Sequence, residues 1–295
     1  MKIGYACINM SLADKKITTN RGMIRKTFDT KGIKYASELA LQNIHDLIEV
    51  VKWNHQNGIE FYRMSSDMFP WMSEYEFTDL PDITKIKTLL SGLGNLVKKY
   101  DHRLTFHPGP FNVLASPNPD VVRKTIAELN KHSQIMDMIG LPASPFAKIN
   151  IHVGGVYGNK QETLQRFCDN FLLLDENTKK RLTVENDSKK NQYCVSDLMF
   201  IHEKTGIPIV FDYHHHFCYT DNSDPKKDLE LALSTWPKQV TPIVHYSESR
   251  LLNEGVGNGL DAHSTLIKKL PNTYGYDLDI MVEAKGKELA IINFL

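Results

Sequence analysis

Ile207-Pro208-Ile209-Val210-Phe211-Asp212-Tyr213-His214-His215-His216 joins a short apolar run to an acid and three histidines. The run has no polar alternation, so both of its faces must be buried, as they are in a strand inside a parallel sheet. Five other runs end the same way. Leu104-Thr105-Phe106 leads into His107, and Ile149-Asn150-Ile151 into His152. Leu182-Thr183-Val184 ends at Glu185, Pro242-Ile243-Val244 at His245, and Ile280-Met281-Val282 at Glu283. Six strand-like runs with a histidine or carboxylate in register at the same end imply one polar site at one end of one sheet.

Working outward, strand signals also appear at Lys2–Ile8 and Ile59–Met64, which makes eight. Amphipathic helical spacing separates them over Ser37–Asn57, Asp82–Tyr100, Asp120–Met138, Lys160–Leu174, Ser196–Thr205, Pro225–Ser234 and Ala262–Leu270. Asn57-Gly58, Gly140-Leu141-Pro142 and Thr205-Gly206-Ile207-Pro208 supply the stops. Eight alternations of strand and helix predict a (β/α)8 TIM barrel, and 295 residues are an ordinary length for one such domain over 1–295. A doubly wound sheet would need a glycine-rich turn after its first strand. Tyr5-Ala6-Cys7-Ile8-Asn9 stands there instead, so no nucleotide cofactor is expected.

Hydrophobic content of 41% and charged content of 24% are those of a globular protein with a sizeable core. No apolar stretch approaches the roughly 20 residues of a membrane span, and Met1-Lys2-Ile3-Gly4-Tyr5 has no signal-peptide character. Cys7, Cys168, Cys194 and Cys218 form no CxxC pair, so a reducing, intracellular compartment is expected. With 35 basic and 35 acidic residues the chain is not strongly cationic. Between Asn9 and Thr30, however, Lys15, Lys16, Arg21, Arg25 and Lys26 outnumber Asp14 and Asp29. This loop is either solvated or a contact for phosphates.

Barrel enzymes place their chemistry at the C-terminal ends of the strands. His107, His152, Glu185, Asp212, His215, His245 and Glu283 would meet there, and His263 can reach in from the loop after the seventh strand. Imidazole nitrogens with carboxylate oxygens suit Zn, Mn or Fe, and adjacent ions need a bridging carboxylate to limit their repulsion. The set exceeds what one ion needs, which predicts a cluster of two or three. His214 and His216 point elsewhere, one of them in support of a ligand. His45, His55, His102, His132 and His202 read as structural.

Arg63-Met64-Ser65-Ser66, His107-Pro108-Gly109, Asn150-Ile151-His152-Val153-Gly154-Gly155, Val184-Glu185-Asn186-Asp187, Phe211 to His216 and Val282 to Glu288 together resemble the UV damage endonucleases, in order and over nearly the whole chain. That family is a barrel related to endonuclease IV and the xylose-isomerase-like barrels. The resemblance implies incision of damaged double-stranded DNA immediately 5′ of cyclobutane pyrimidine dimers and 6-4 photoproducts, and often of abasic sites. It implies a divalent cluster, usually manganese, and products with a 3′-hydroxyl and a 5′-phosphate. The family's ligand positions fall on His107, His152, Glu185, Asp212, His215, His245, His263 and Glu283, with Glu185 as the bridge and Glu185, His107 and Glu283 as catalytic residues. Tyr5 and Asn9 match positions at the damage pocket, and Tyr5 and Phe111 are the wedge candidates. Lys285 and Lys287 either meet the DNA backbone or form a solvated turn. No obligate protein partner is expected.

Three departures qualify the resemblance. Ile243 stands where some members carry a lysine that can be carboxylated, two residues before the strand-7 histidine. Pro110-Phe111 replaces a common Gln-Tyr pair, so the tip can stack but Pro110 offers no side-chain hydrogen bond. Asp67 stands where relatives can have histidine, as a weaker ligand or as a cap for the next turn. Two rivals share the ligand set: an abasic-site endonuclease of the endonuclease IV type, and a metal-dependent sugar isomerase or epimerase on the same barrel.

Overall fold

A computed structural model describes residues 1–219 and 223–295. Among these residues, eight parallel strands form one sheet: β1 Ile3–Ala6, β2 Phe61–Met64, β3 Arg103–Phe106, β4 Ile149–Ile151, β5 Leu182–Glu185, β6 Ile209–Val210, β7 Ile243–Tyr246 and β8 Asp279–Val282. Their order is β6-β5-β4-β3-β2-β1-β8-β7, and the ring closes through a parallel bridge between Asp212 and His245. With helices between the strands, this is the expected (β/α)8 barrel. The closing bridge joins two of the candidate ligands.

The strands are buried on both faces, which is why their sequences read as apolar runs. Inward-facing Ala6, Phe61, Val210, Ile243 and Met281 form a small inner cluster, separate from the large core between sheet and helices. At the N-terminal end, Arg103 is fully buried, pairs with Asp279 at 2.7 Å and donates to the carbonyls of Pro145, Phe146 and Thr241. Period-2 alternation therefore stacks an ionic floor, an apolar plug and a polar mouth.

The helices are α1 Arg25–Gln56, α2 Ile83–Lys99, α3 Pro119–Ile139, α4 Lys160–Phe171, α5 Glu176–Arg181, α6 Val195–Thr205, α7 Tyr213–Tyr219, α8 Pro225–Ser234 and α9 Arg250–Glu254. Local chemistry sets their ends. Asn118 caps α3 by accepting from the Asp120 amide, Pro119 opens it, and Gly140 ends it at φ 84. Helix α1 begins earlier than its apolar periodicity, so Arg25 and Lys26 are helical and the basic loop is shorter than expected. The helix expected over Ala262–Leu270 does not form. Ser249 and His263 bridge there instead, and the Lys268 amide donates to the Glu248 carboxylate. Helices α5, α7 and α9 are short, lack a long apolar period and lie outside the helices that the sequence predicts. Among the described residues, no helix is long and apolar enough to cross a membrane.

Candidate metal centre

Glu185, at the end of β5, is fully buried in the centre of the mouth. Its Oε2 lies 3.1 Å from His107 Nε2, 3.1 Å from His245 Nδ1 and 3.8 Å from His152 Nε2. Its Oε1 faces His215 Nδ1 at 3.4 Å. The Asn150 amide, one layer below on β4, donates to Oε2 and is in turn held by Thr183. Glu283, at the end of β8, reaches His245 Nδ1 at 3.2 Å.

Three groups present ligand atoms within 4.8 Å of one another: His107–Glu185–His245, His152–Glu185–His215 and Asp212–His245–Glu283. The shared Glu185 and His245 make these one continuous constellation. Among the described residues, Glu185 Oε1, Asp212 Oδ2 and His263 Nδ1 are buried without a hydrogen-bond partner. Unpartnered buried donors and acceptors are costly, and a divalent cation would satisfy them. The residues therefore fit the group that the strand ends imply.

Neighbouring groups orient the ring nitrogens. His152 Nδ1 faces Asp187 Oδ1 at 3.0 Å, which leaves Nε2 toward Glu185. Asp212 Oδ1 accepts from the His215 amide at 2.7 Å and caps α7, so a helical turn brings Asp212 and His215 to one face. Asn186 clasps the Asp212 backbone through both its amide nitrogen and oxygen. His263 stands outside the three groups, its ring 6.4 Å from His215 and 5.3 Å from His214. His214 is buried beside Cys218 and His263.

The electrostatics follow from burial and from Glu185. Burial pushes His107 down to about 4 against the pull of Glu185. It also lowers His245, with Lys148 adding to the effect. For His152, Glu185 and Asp187 outweigh burial and raise the imidazole to about 9. Burial opposes the charge on Glu185 and Glu283, but His245 and His152 around the first, and Arg63 and His245 around the second, hold both well below the usual carboxylate range. Ionised carboxylates beside the neutral imidazoles of His107 and His245 are in the protonation states that cation binding requires, whereas His152 must first give up a proton.

Two mouth residues lie outside the predicted ligand set. Lys148 Nζ lies 3.0 Å from His245 Nε2, and burial brings this lysine down to about 7. Ile243 belongs to the apolar plug, so the lysine near His245 comes from the start of β4 rather than from β7. Arg63 crosses from β2 to pair with Glu283. Both were visible as charges inside strands otherwise read as buried on both faces.

The mouth is flanked by two clefts with the His107–Asn112 loop between them. One, of about 630 Å³, is lined by Cys7, Ser66, Asp67, Trp71, His107 and Phe111 among others. The other, of about 360 Å³, includes Pro110, His152, Gly154, Tyr157, Asp187 and Gln192. Phe111 is 89% exposed on the ridge. Cys7, Trp71 and Tyr157 adopt φ of 70, 58 and 50, a strained backbone of the kind that concentrates at functional sites.

Tyr5 and Asn9 are elsewhere. Tyr5 points outward from the barrel and is fully buried, its hydroxyl donating to Asn54 and accepting from Asn9. Asn9 also accepts from the Leu12 amide, so the pair shapes the loop and lines neither cleft. As placed, Tyr5 cannot act as a wedge. Asp67 is exposed on the cleft wall, outside the three groups, and its amide donates to Ser65. Lys285 is exposed just past Glu283.

The family model described as UV-endonuclease UvdE matches residues 1–295. A putative UV-damage endonuclease of Acanthamoeba polyphaga mimivirus is 33% identical over 99% of this chain and 90% of its own length. The UV-damage endonuclease of Schizosaccharomyces pombe is 35% identical over 99% of this chain, which spans 50% of that protein. The crystal structure of SacUVDE superposes with a TM-score of 0.85 at 30% identity, covering 99% of this chain and 96% of that one.

Proposed function

The chain belongs to the UV-endonuclease UvdE family and is thus a DNA-repair endonuclease; from that premise we propose that it nicks duplex DNA immediately 5′ of cyclobutane pyrimidine dimers and 6-4 photoproducts, leaving a 3′-hydroxyl and a 5′-phosphate. The catalytic unit is the whole of 1–295. The reaction depends on a cluster of two or three divalent ions, manganese by preference, held by His107, His152, Glu185, Asp212, His215, His245, His263 and Glu283. The observation that carries this reading is Glu185, buried within 3.8 Å of three imidazoles and joined to a fourth through its other oxygen.

Divalent ions at such a site supply a lowered water pKa and neutralise charge on the scissile phosphate. The chain's own residues do the rest. Glu185 bridges the ligand groups, and Glu283 and His107 complete its two sides. Asp187 and Lys148 fix which nitrogens of His152 and His245 face inward. Phe111 wedges into the duplex on the ridge between the clefts, where a photodamaged step is cheaper to unstack than an intact one. Exposed Lys15, Lys16, Lys26 and Lys285 meet backbone phosphates. With Pro110 beside it, the tip selects by stacking and deformability, with no side-chain hydrogen bond from that position.

The test is a labelled duplex carrying one defined dimer, beside undamaged and abasic duplexes, with manganese and with chelator. Metal-dependent incision 5′ of the dimer is expected. Cutting confined to the abasic duplex would favour the endonuclease IV-like rival and implicate Pro110-Phe111. Equal cutting in chelator would overturn the metal-dependent reading.

A further inference from the structure

Arg63 is a charged side chain of the mouth outside the eight candidate ligands. It stands on the inner face of β2, and β1 lies between β2 and β8. The inner positions of β1 are Gly4 and Ala6, and a Cβ on Gly4 would lie 2.6 Å from the Phe61 carbonyl. Gly4 thus makes way for Phe61, and Ala6, level with Arg63, leaves the arginine room to cross β1 and pair with Glu283. Its side chain is only 13% exposed, and its buried Nε has no hydrogen-bond partner among the described residues.

A guanidinium has five donors in a planar fork that suits a carboxylate on one edge and a phosphate on another. Here Nη1 faces Glu283, whose carboxylate reaches His245 Nδ1 at 3.2 Å, and Nε remains unsatisfied. A buried donor without a partner is costly unless something arrives to accept from it. Phosphate oxygens are the acceptors that a DNA backbone brings to this mouth.

We propose that Arg63 is a further catalytic residue, held by Glu283 and donating from the rest of its fork to the scissile phosphate. The inference rests on the endonuclease reading above. Its fixed charge adds to that of any bound ions and offsets the negative charge that develops as the phosphodiester is attacked.

The experiment compares wild type with R63K and R63Q in two arms. In chelator, anisotropy of a labelled dimer-containing duplex is followed across salt concentrations. R63Q should bind more weakly, with a salt slope shallower by about one phosphate contact. R63K keeps the charge and the slope, and it guards against a folding defect. With manganese, R63Q should retain wild-type metal content by mass spectrometry, while its single-turnover rate falls roughly a hundred- to a thousandfold. R63K should lie between. An unchanged slope in chelator would overturn the proposal, as would loss of metal from R63Q with full rescue of its rate by excess manganese, which would reduce Arg63 to a positioning residue for Glu283. The chelator arm reads the Arg63 contact even in a protein that cuts nothing, so its failure is distinct from failure of the endonuclease reading.

Discussion

Asp187 pairs with His152 Nδ1 at 3.0 Å and leaves the other ring nitrogen aimed at Glu185. Partners of this kind orient a ligand without touching the ion, and removing one typically costs about 10- to 100-fold in metal affinity or activity. Asp187→Ala should weaken manganese binding by that factor in a metal titration, with the circular dichroism spectrum unchanged. An unchanged affinity would show that Asp187 does not orient the ring. The same pair sets a pH dependence. His152 is raised to about 9, so below that pH an incoming cation must displace its proton. Apparent metal affinity should therefore rise with pH, roughly tenfold per unit, and level off above about 9. A flat profile between pH 7 and 9 would contradict the assignment of His152 as a ligand. Residue types at strand ends were legible in the sequence, but partners such as Lys148 and Arg63 were not read as part of the site. Their reach across the barrel depends on which strands its register sets side by side, as with Ala6 level with Arg63, and on long-range partners such as His245 for Lys148.

The loop from His107 to Asn112 ties the candidate metal centre to the proposed wedge. His107 stays on the ligand side while Asn112 donates to the Gly109 carbonyl and to Glu128 on α3, so Phe111 is presented from an anchored loop. Phe111→Ala should leave stability untouched because the ring is 89% exposed. It should weaken binding to a dimer-containing duplex by about 1–3 kcal/mol, the worth of one stacked base, with little change on undamaged duplex. Equal losses on both duplexes in an anisotropy assay would remove the wedge role. Register explains where the sequence misleads at this scale. Tyr5 alternates with inward-facing Gly4 and Ala6, so it packs outward against α1 and joins Asn54 rather than the cleft. Helix α7 is hidden because Tyr213 to Tyr219 has no apolar period. The Asp212 carboxylate that caps it shows why Asp212 and His215 meet.

Across the whole molecule, the barrel separates stability from chemistry along its axis. At the floor, Asp279 accepts from Arg103 and from the Lys2 amide, tying β8 to β3 and to the start of β1. Asp279→Ala leaves a fully buried arginine without its carboxylate and should cost about 3–5 kcal/mol in chemical denaturation. A loss below 1 kcal/mol would show that the carbonyls around Arg103 suffice. The eightfold alternation was readable because strands buried on both faces leave continuous apolar runs. The absence of the helix expected over Ala262–Leu270 was not, since the tie between Ser249 and His263 depends on residues 14 positions apart. At the opposite end, the mouth gathers candidate ligands from six strands and closes the ring through Asp212 and His245. The most direct test of this account counts ions by native mass spectrometry in wild type and Glu185→Gln, each assayed on the defined dimer duplex. Two or three manganese ions per wild-type chain are expected, fewer in Glu185→Gln, with incision lost alongside them by at least a hundredfold. Wild-type protein that cuts the dimer duplex while holding no divalent ion would contradict it.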